Sequence, residues 1–382
     1  MQVIIHFVQV YMIRYKMRNI STILILFLLS GCLLSQQFAC GQTHKTSNAE
    51  DWFDKGNICY RKGNFDKAIL YYSKVLIVNP HHTMAYIKRG VALVNKGELD
   101  RGIYDYTKAL EIDSHNTETY ISRGIAWEKK GAFDRAIADY TKALELKPHD
   151  AWIYINRGAA FSTKGDFDRA IIDYTKAIEI DRWDAMAFYS RGIVWEKKGD
   201  FDQAITDYTK AIEIDPNELM AYISRGVAWG KKGCLDLSLS DLSKAVEIEP
   251  DDSMAFYSRG IIWGKKGAFD RAIADYNRAI EIKPNYIDAY NNLAWLFSTC
   301  FDDNYRNGKK ALGYAKKTVE LKRDFNSLDT LAAAYAEIGK FKDAIATQEK
   351  AIVFLKKEGD LIKKDEYRTR LEAYKAHKPW RE

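Results

Sequence analysis

A period of 34 residues constrains the fold of this chain more than any other feature. The segment KGAFDRAIADYTKALELKP at 130–148 reappears as KGDFDQAITDYTKAIEIDP at 198–216 and as KGAFDRAIADYNRAIEIKP at 266–284. A fixed period of this length is typical of stacked-repeat proteins, in which each repeat packs only on its neighbours. We therefore expect one all-α solenoid in place of the two or three globular domains that 382 residues would normally suggest.

We number each repeat so that the glycine of the KG pair falls at position 15. The residue pattern then predicts two helices in each repeat. Glycine ends the first helix because it adopts the left-handed conformation at little cost, and proline at position 32 ends the second. A charged stretch with Tyr367, Leu371 and Tyr374 on one face predicts a capping helix and tail over 359–382. The predicted repeats are 49–82, 83–116, 117–150, 151–184, 185–218, 219–252, 253–286, 287–324 and 325–358.

The residues at fixed positions resemble the tetratricopeptide repeat (TPR) family, whose pattern alternates aromatic residues, small residues and a proline. That resemblance implies a right-handed superhelix of antiparallel helix pairs. Independently of it, a glycine at position 8 in mid-helix destabilises a helix by about 1 kcal/mol. Close approach of the large tyrosine at position 24 would explain that glycine. The third repeat supplies Tyr120, Gly124, Trp127, Gly131, Phe133, Ala136, Tyr140, Ala143 and Pro148.

Arginine at position 7 and aspartate at position 23 occur together or not at all. Repeats that lack one also lack the other, as in Leu293 with Tyr314. Positions 7 and 23 lie opposite each other in an antiparallel helix pair that turns near position 15, so we expect a ladder of ion pairs. The alternative is an arginine stripe that binds acidic ligands. The predicted pairs are Arg89–Asp105, Arg123–Asp139, Arg157–Asp173, Arg191–Asp207, Arg225–Asp241 and Arg259–Asp275.

The family resemblance implies that positions 2, 5, 9, 12 and 13 line a concave groove. The groove would be an apolar strip with a lysine margin, unless tight packing of the repeats partly buries the strip. It lacks the Lys and Asn of the carboxylate clamp that binds chaperone C-termini. The candidate groove residues are Ile87, Ile121, Ile155, Tyr189, Ile223 and Tyr257 at position 5, Met186, Met220 and Met254 at position 2, and Lys129, Lys197, Lys231 and Lys265 at position 13.

The N-terminal region 1–41 predicts an export signal. The apolar run Ile20–Leu34 is too short to span a bilayer comfortably and follows Arg18. Leu29–Cys32 resembles a bacterial lipobox, in which Cys32 would be lipidated. Cleavage after the small-x-small site Ala39-Cys40-Gly41, an uncleaved anchor, and a start at either Met1 or Met17 remain alternatives. Residues 42–48 are polar and predict a flexible tether.

Charge and motifs exclude several functions. The net charge is only +6 and the sequence contains no run of basic residues, so nucleic-acid binding by charge is not expected. No nucleotide-binding, hydrolase or zinc-protease motif occurs, so we expect no enzyme, cofactor or metal. A histidine column at position 33, which includes His81 and His115, would be spaced by helix layers of roughly 8–10 Å. That spacing is too wide for metal–ligand bonds of about 2 Å.

These features predict a non-catalytic scaffold of the bacterial cell envelope that binds other proteins or peptides. It would be exported and either lipid-anchored or periplasmic to extracellular. The competing interpretation is a structural protein that self-associates through its convex face or its ends. The oligomeric state stays open.

Overall fold

Residues 43–358 and 361–382 are described by the computed structural model, and they are helical with no strand. The predicted export signal, including Cys32, lies outside these described residues. They form nine helix pairs followed by one further helix, which confirms the all-helical, TPR-like solenoid. The helices are α1 Thr43–Arg61, α2 Phe65–Val78, α3 Thr83–Asn95, α4 Leu99–Ile112, α5 Thr117–Lys129, α6 Phe133–Leu146, α7 Ala151–Lys164, α8 Phe167–Ile180, α9 Ala185–Lys198, α10 Phe201–Ile214, α11 Leu219–Lys231, α12 Leu235–Ile248, α13 Ser253–Lys265, α14 Phe269–Ile282, α15 Ile287–Thr299, α16 Gly308–Leu321, α17 Phe325–Glu337, α18 Phe341–Glu358 and α19 Leu361–Lys375.

The start of α1 differs from the sequence expectation. Residues 43–48, expected as part of a flexible tether, form the first turns of α1. They contain neither glycine nor proline. Helix propagation adds one hydrogen bond for each residue that it orders, so a polar segment without helix breakers extends an adjacent helix.

The chain divides into two compact units within α3, the first ending at Ala92 and the second running from Leu93 to Glu382. The first unit has a small core in which Tyr72 and Val75 are fully buried. In the second unit each helix packs against the helix before and the helix after it in the chain. Its core is therefore a series of clusters, one for each pair of neighbouring repeats, as expected when repeats contact only their neighbours.

In every repeat except the eighth, whose position 15 is Phe301, the turn forms as the glycine pattern predicts. Gly165 and Gly199 both have a φ of 83°, in the left-handed region where glycine is unstrained. In these two repeats the next residue caps the second helix. The side chains of Asp166 and Asp200 accept hydrogen bonds from the backbone N–H groups of Arg169 and Gln203, which satisfies a donor that the helix itself leaves free.

The glycine at position 8 makes room for the tyrosine at position 24. A Cβ on Gly192 would lie 2.7 Å from Cε1 of Tyr208, and one on Gly124 would lie 2.6 Å from Cε1 of Tyr140. Both tyrosines are fully buried. Since burial of an aromatic ring stabilises the fold by more than the glycine costs, the glycine is retained in mid-helix.

Candidate partner-binding face

The candidate groove residues lie on the first helices of their repeats. In the second compact unit these helices lie side by side, since α7 contacts α9, α9 contacts α11, and α11 contacts α13. Two contacts fix the register: Tyr189 Oη lies 3.5 Å from Ser224 Oγ, and Lys265 Nζ donates to the carbonyl of Gly230 at 3.4 Å. We call the surface formed by positions 2, 5, 9, 12 and 13 of α5, α7, α9, α11 and α13 the first-helix face.

Position 5 contributes less to this surface than the sequence suggests. Ile155, Tyr189 and Ile223 are only 7%, 9% and 3% exposed, and Ile87 in α3 is also buried. Ile121 and Tyr257 are half-buried. The expected continuous apolar strip is therefore largely closed, and the alternative of burial by repeat packing describes these residues better.

The cause is contact with the next first helix along the stack. The Tyr257 ring lies 5.0 Å from the Tyr286 ring, and Asn292 Nδ2 donates to Tyr257 Oη at 3.4 Å. Tyr189 reaches Ser224 in the same way. Position 5 thus serves the packing between repeats, and substitutions there would disturb the fold along with any binding.

Apolar side chains at two other positions are half-exposed on the first-helix face. Met186, Met220 and Met254 at position 2 are half-buried, as a binding surface requires. So are four aliphatic residues at position 9, whose individual roles the sequence analysis did not assign. Their signal was present in the sequence, because they recur every 34 residues, one helical turn after position 5. They are Ile125, Ile193, Val227 and Ile261.

Two adjacent lysine columns on the first helices behave differently. The lysines at position 14 form ion pairs with the aspartate at position 18 of the preceding repeat, for example Lys198–Asp168 and Lys266–Asp236, each at 2.5 Å. Lys130, Lys164 and Lys232 pair likewise with Asp100, Asp134 and Asp202.

The predicted rim lysines at position 13, Lys129, Lys197, Lys231 and Lys265, are exposed. No ion pair within the described residues involves any of the four. Lys197 and Lys265 make only long hydrogen bonds, of 3.4 Å, to neutral oxygens. One column of positive charge is therefore neutralised within the protein, and its neighbour is available to solvent or to a ligand.

The structure brings together five of the six predicted arginine–aspartate pairs. In each, Nε and Nη2 of the arginine donate to the two carboxylate oxygens; the two distances are both 2.8 Å for Arg157–Asp173. The sixth pair, Arg89–Asp105, would join the two compact units and stays a prediction. The five pairs are Arg123–Asp139, Arg157–Asp173, Arg191–Asp207, Arg225–Asp241 and Arg259–Asp275.

The third arm of each arginine reaches the preceding repeat. Nη1 of Arg157 donates to Oγ1 of Thr141 at 3.1 Å, and that hydroxyl donates to the carbonyl of Ile137 at 2.7 Å. The guanidinium of Arg157 also lies 5.7 Å from the centre of the Tyr154 ring. Each ion pair therefore ties two repeats together, and the side chain has few donors left for an acidic ligand.

These pairs are substantially buried, with arginine side chains 18–20% exposed and aspartate side chains 3–9% exposed. Burial raises the pKa of Asp207, and the hydrogen bonds from Arg191 oppose that rise. Desolvation therefore offsets much of the attraction, as is usual for buried ion pairs. We infer that the ladder contributes mainly to the register between repeats.

Position 12 adds a half-buried carboxyl to the first-helix face in two repeats. Tyr140 Oη donates to Glu128 at 3.0 Å, and Tyr208 Oη donates to Glu196 at 2.8 Å. Burial raises the pKa of Glu128 from its ordinary 4.5 to about 7, although the Tyr140 hydrogen bond lowers it. In repeats 6 and 7 this position is Gly230 and Gly264, so the face is flatter there.

The described part of the chain contains no cluster of three or more histidine, cysteine or acidic side chains arranged to hold a metal ion. Within the same residues, no helix combines the length and the apolar character that crossing a membrane would require. Cys59, Cys234 and Cys300 are free thiols.

Comparison with known proteins identifies the repeat. The tetratricopeptide repeat model matches residues 49–82, 151–184 and 185–218, and a second TPR repeat model matches 129–165 and 264–297. A comparison with curated proteins gives no match.

Several solved structures are similar to this chain. MamA is 32% identical over 42% of this chain and 94% of its own, with a TM-score of 0.41. YrrB, described as a TPR protein with an unusual peptide-binding site, is 27% identical over 49% of this chain and 96% of its own, with a TM-score of 0.41. A tetratricopeptide repeat protein from Parabacteroides merdae is 19% identical over 64% of this chain and 96% of its own, with a TM-score of 0.53. The family-model matches and the stacked helix pairs together show that the chain is built from tetratricopeptide repeats.

Proposed function

We propose that this protein is a non-catalytic scaffold of the bacterial cell envelope that binds segments of partner proteins on its first-helix face. The observation that carries this proposal is the contrast between the two lysine columns. Position-14 lysines are paired with aspartates, whereas Lys129, Lys197, Lys231 and Lys265 at position 13 remain exposed outside any ion pair of the described residues. A periodic row of uncompensated charge at one edge of the face is suited to an acidic ligand.

The apolar part of the ligand would contact positions 2 and 9. Met186, Met220 and Met254 are half-exposed on the same face, at the opposite end of the first helices from the lysine row, and methionine side chains adapt to varied shapes. A half-exposed apolar strip with a charged rim is typical of protein-binding surfaces. The expected ligand is therefore an extended or helical peptide with apolar anchors and acidic residues.

A matched pair of variants tests this surface. Peptides are selected from a library against the unaltered chain and then measured on two triple variants. Lys197→Ala/Lys231→Ala/Lys265→Ala removes three exposed lysines, and Lys198→Ala/Lys232→Ala/Lys266→Ala removes three paired neighbours. The first should slow association and flatten the salt dependence of binding, since exposed interface charges act mainly on the on-rate. Equal behaviour of the two variants would contradict a ligand on the lysine edge.

The location of the protein in the envelope rests on the sequence of residues 1–41. We propose export and lipidation at Cys32, supported by the Leu29–Cys32 box at the end of an apolar run. Mass spectrometry of the protein purified from its native membranes distinguishes the alternatives. A lipid-modified N-terminal Cys32 supports anchoring, and an unmodified N-terminus at Gln42 would indicate secretion without an anchor.

Self-association is the second candidate, favoured by two exposed apolar side chains of repeat 4 that do not belong to the first-helix face. Ile172 on α8 is 59% exposed, and Trp183 in the turn that follows is 73% exposed. Light scattering of the unaltered chain and of Trp183→Ser tests it. An oligomer that dissociates on this substitution would favour the structural role over the partner-binding role.

A further inference from the structure

The segment 376–382, which follows α19, returns across the first helices of the last two repeats. The backbone N–H of Glu382 donates to the carbonyl of Thr299 at 2.8 Å. Arg381 Nη1 donates to the carbonyl of Ser298 at 3.2 Å and lies 2.8 Å from a carboxylate oxygen of Glu337. Thr299 and Glu337 both occupy position 13, which carries the exposed lysines in repeats 3, 5, 6 and 7. The segment therefore occupies the continuation of the first-helix face.

The surface beneath the segment is built to receive a cation. Helix α15 ends at Thr299, so the carbonyls of its last turn have no partner within the helix and carry its negative dipole end. Glu337 is 13% exposed; one oxygen faces Arg381 and the other lies 3.4 Å from Arg306 Nε. Arg381 Nη1 thus contacts one carbonyl at the C-terminal end of α15, that of Ser298, and one largely buried carboxylate, while the Thr299 carbonyl accepts from the backbone N–H of Glu382.

An aromatic side chain fills the apolar part of the same surface. Trp380 packs against the cluster formed by Ala332, Ala336, Ala344 and Tyr374. Its ring centre lies 5.6 Å from the guanidinium of Arg370, which stays paired with Asp329. We call Ser298, Thr299, Ala332, Ala336 and Glu337 the end surface.

The segment 376–382 contacts α15 and α17 in the way that a bound peptide contacts its receptor. It is not helical, and its contacts with α15 and α17 come from Trp380, Arg381 and Glu382, with the Arg381 side chain still 36% exposed. Its advantage over a free peptide is the tether to α19, which converts binding into an intramolecular event with a high effective concentration.

We propose that the end surface is a second protein-binding site, selective for a partner segment in which an aromatic residue is followed directly by arginine. The segment 376–382 is its intramolecular occupant and must be displaced before the partner binds. The site selects positive charge, whereas the lysine edge selects negative charge. It stands independently of the proposed function of the first-helix face, because it involves other residues and the opposite ligand charge.

The test uses a fluorescent peptide with the sequence of 376–382, AHKPWRE, acetylated and amidated so that terminal charges play no part. Its binding is measured on the unaltered chain and on Trp380→Ala/Arg381→Ala, in which the internal occupant is weakened. We expect binding to the variant to be about tenfold tighter or more, since the peptide no longer competes with the tethered segment. The order of the two residues is checked with the peptide AHKPRWE, which should bind at least several-fold more weakly.

Two further variants make the result specific. Glu337→Gln added to the double variant should weaken peptide binding several-fold, whereas Glu366→Gln, which removes an exposed carboxylate on α19, should leave it unchanged. Equal binding of AHKPWRE to the unaltered chain and to the double variant, or no binding to a double variant with an unchanged helical circular dichroism spectrum, overturns the proposal.

If the double variant loses the structure of α19, hydrogen exchange on the unaltered chain replaces it. Excess AHKPWRE should accelerate exchange at 378–382 and leave exchange within α19 unchanged. No acceleration overturns the proposal. Light scattering covers one more outcome, because a dimer that disappears on Trp380→Ala would show that the occupant comes from a second copy and would overturn the intramolecular assignment.

Discussion

Repeats 3–7 and the last two repeats solve the same packing problem with different chemistry. In repeats 3–7 the arginine at position 7 bonds an aspartate in its own repeat and a hydroxyl in the repeat before, as Arg157 does with Asp173 and Thr141. In repeats 8 and 9 position 7 is Leu293 and Leu331, both buried. The polar contacts move to α19, where Arg370 Nη1 donates to Asp329 at 2.8 Å and Gln348 Nε2 donates to the same carboxylate at 2.7 Å.

The difference follows from what each region has as a neighbour. A middle repeat meets an identical surface on both sides, so an apolar interface alone would permit shifts in register, and a directional ion pair selects one register. The last repeat has a unique neighbour, α19, and a single buried network joins α17, α18 and α19. The two regions should therefore respond differently to the loss of one charge.

The largest effect is expected for Asp329→Ala. Arg370 is 11% exposed and would lose its buried partner, while Gln348 would lose an acceptor. Breaking a buried ion pair by removing one partner typically costs about 3–5 kcal/mol, and the upper end applies because two donors are left unsatisfied. Hydrogen exchange should show the loss in α19 and α18, with repeats 3–6 unaffected, because each repeat contacts only its neighbours.

The matched control is Glu366→Ala, which removes the second carboxylate near Arg370. That carboxylate is 62% exposed and lies 3.7 Å away, so its loss should change protection by less than about 0.5 kcal/mol. Equal effects of the two substitutions would show that the end of the stack is not held by the buried network.

A somewhat smaller effect is expected in the ladder, for Arg157→Leu or Asp173→Leu alone. Each leaves one charge in a largely buried site and should cost about 3 kcal/mol. The double variant should cost clearly less than the sum of the two, since leucine at both positions removes the unpaired charge, as the buried leucines of repeats 8 and 9 illustrate. Hydrogen exchange at α7 and α8 measures the loss of stability in all three variants. Additive losses would mean that the two side chains act separately.

Most of the fold could be read from the sequence because each of its causes is local and repeated. Glycine at position 15, an acid at the start of the second helix and proline at its end act within a few residues, and the 34-residue period repeats the signal. Even the ladder was readable, because arginine and aspartate occur together within each repeat. The repeats that have Leu293 or Leu331 in place of the arginine at position 7 also lack the aspartate at position 23. This joint absence identified positions 7 and 23 as a pair.

What could not be read depends on distances between repeats. Whether Tyr189 or Ile223 is exposed is decided by how closely the next first helix approaches, and a linear pattern does not contain that distance. The course of 376–382 has a different origin. The segment occurs once, so no periodic signal places Trp380 and Arg381 on α15 and α17.

A pH-dependent effect of intermediate size is expected at Glu128. Its folded pKa of about 7 lies above the ordinary 4.5, so the folded state holds the proton more tightly. The corresponding stability is fully present below about pH 4.5 and is lost as the pH rises to about 7. Glu128→Gln, which keeps an acceptor for Tyr140, should remove this part of the pH dependence. Urea denaturation at pH 5 and pH 8 measures it, with Glu118→Gln as the control for loss of one exposed charge. An unchanged difference between the two pH values would contradict the assignment.

The smallest effect is expected on the exposed edge, for Lys198→Ala. Lys198 pairs with Asp168 at 2.5 Å and also joins two repeats, but the aspartate side chain is 81% exposed. Water and salt screen such a pair, and double-mutant measurements of exposed pairs give about 0.2–1 kcal/mol. The loss should therefore stay below about 1 kcal/mol and vanish in high salt, unlike the loss from Asp173→Leu. Hydrogen exchange at α8 and α9 in low and high salt compares the two on the same repeats. Equal destabilisation by Lys198→Ala and Asp173→Leu in high salt would contradict this prediction. It would mean that burial does not explain why the arginine–aspartate pairs contribute more stability than the exposed lysine–aspartate pairs.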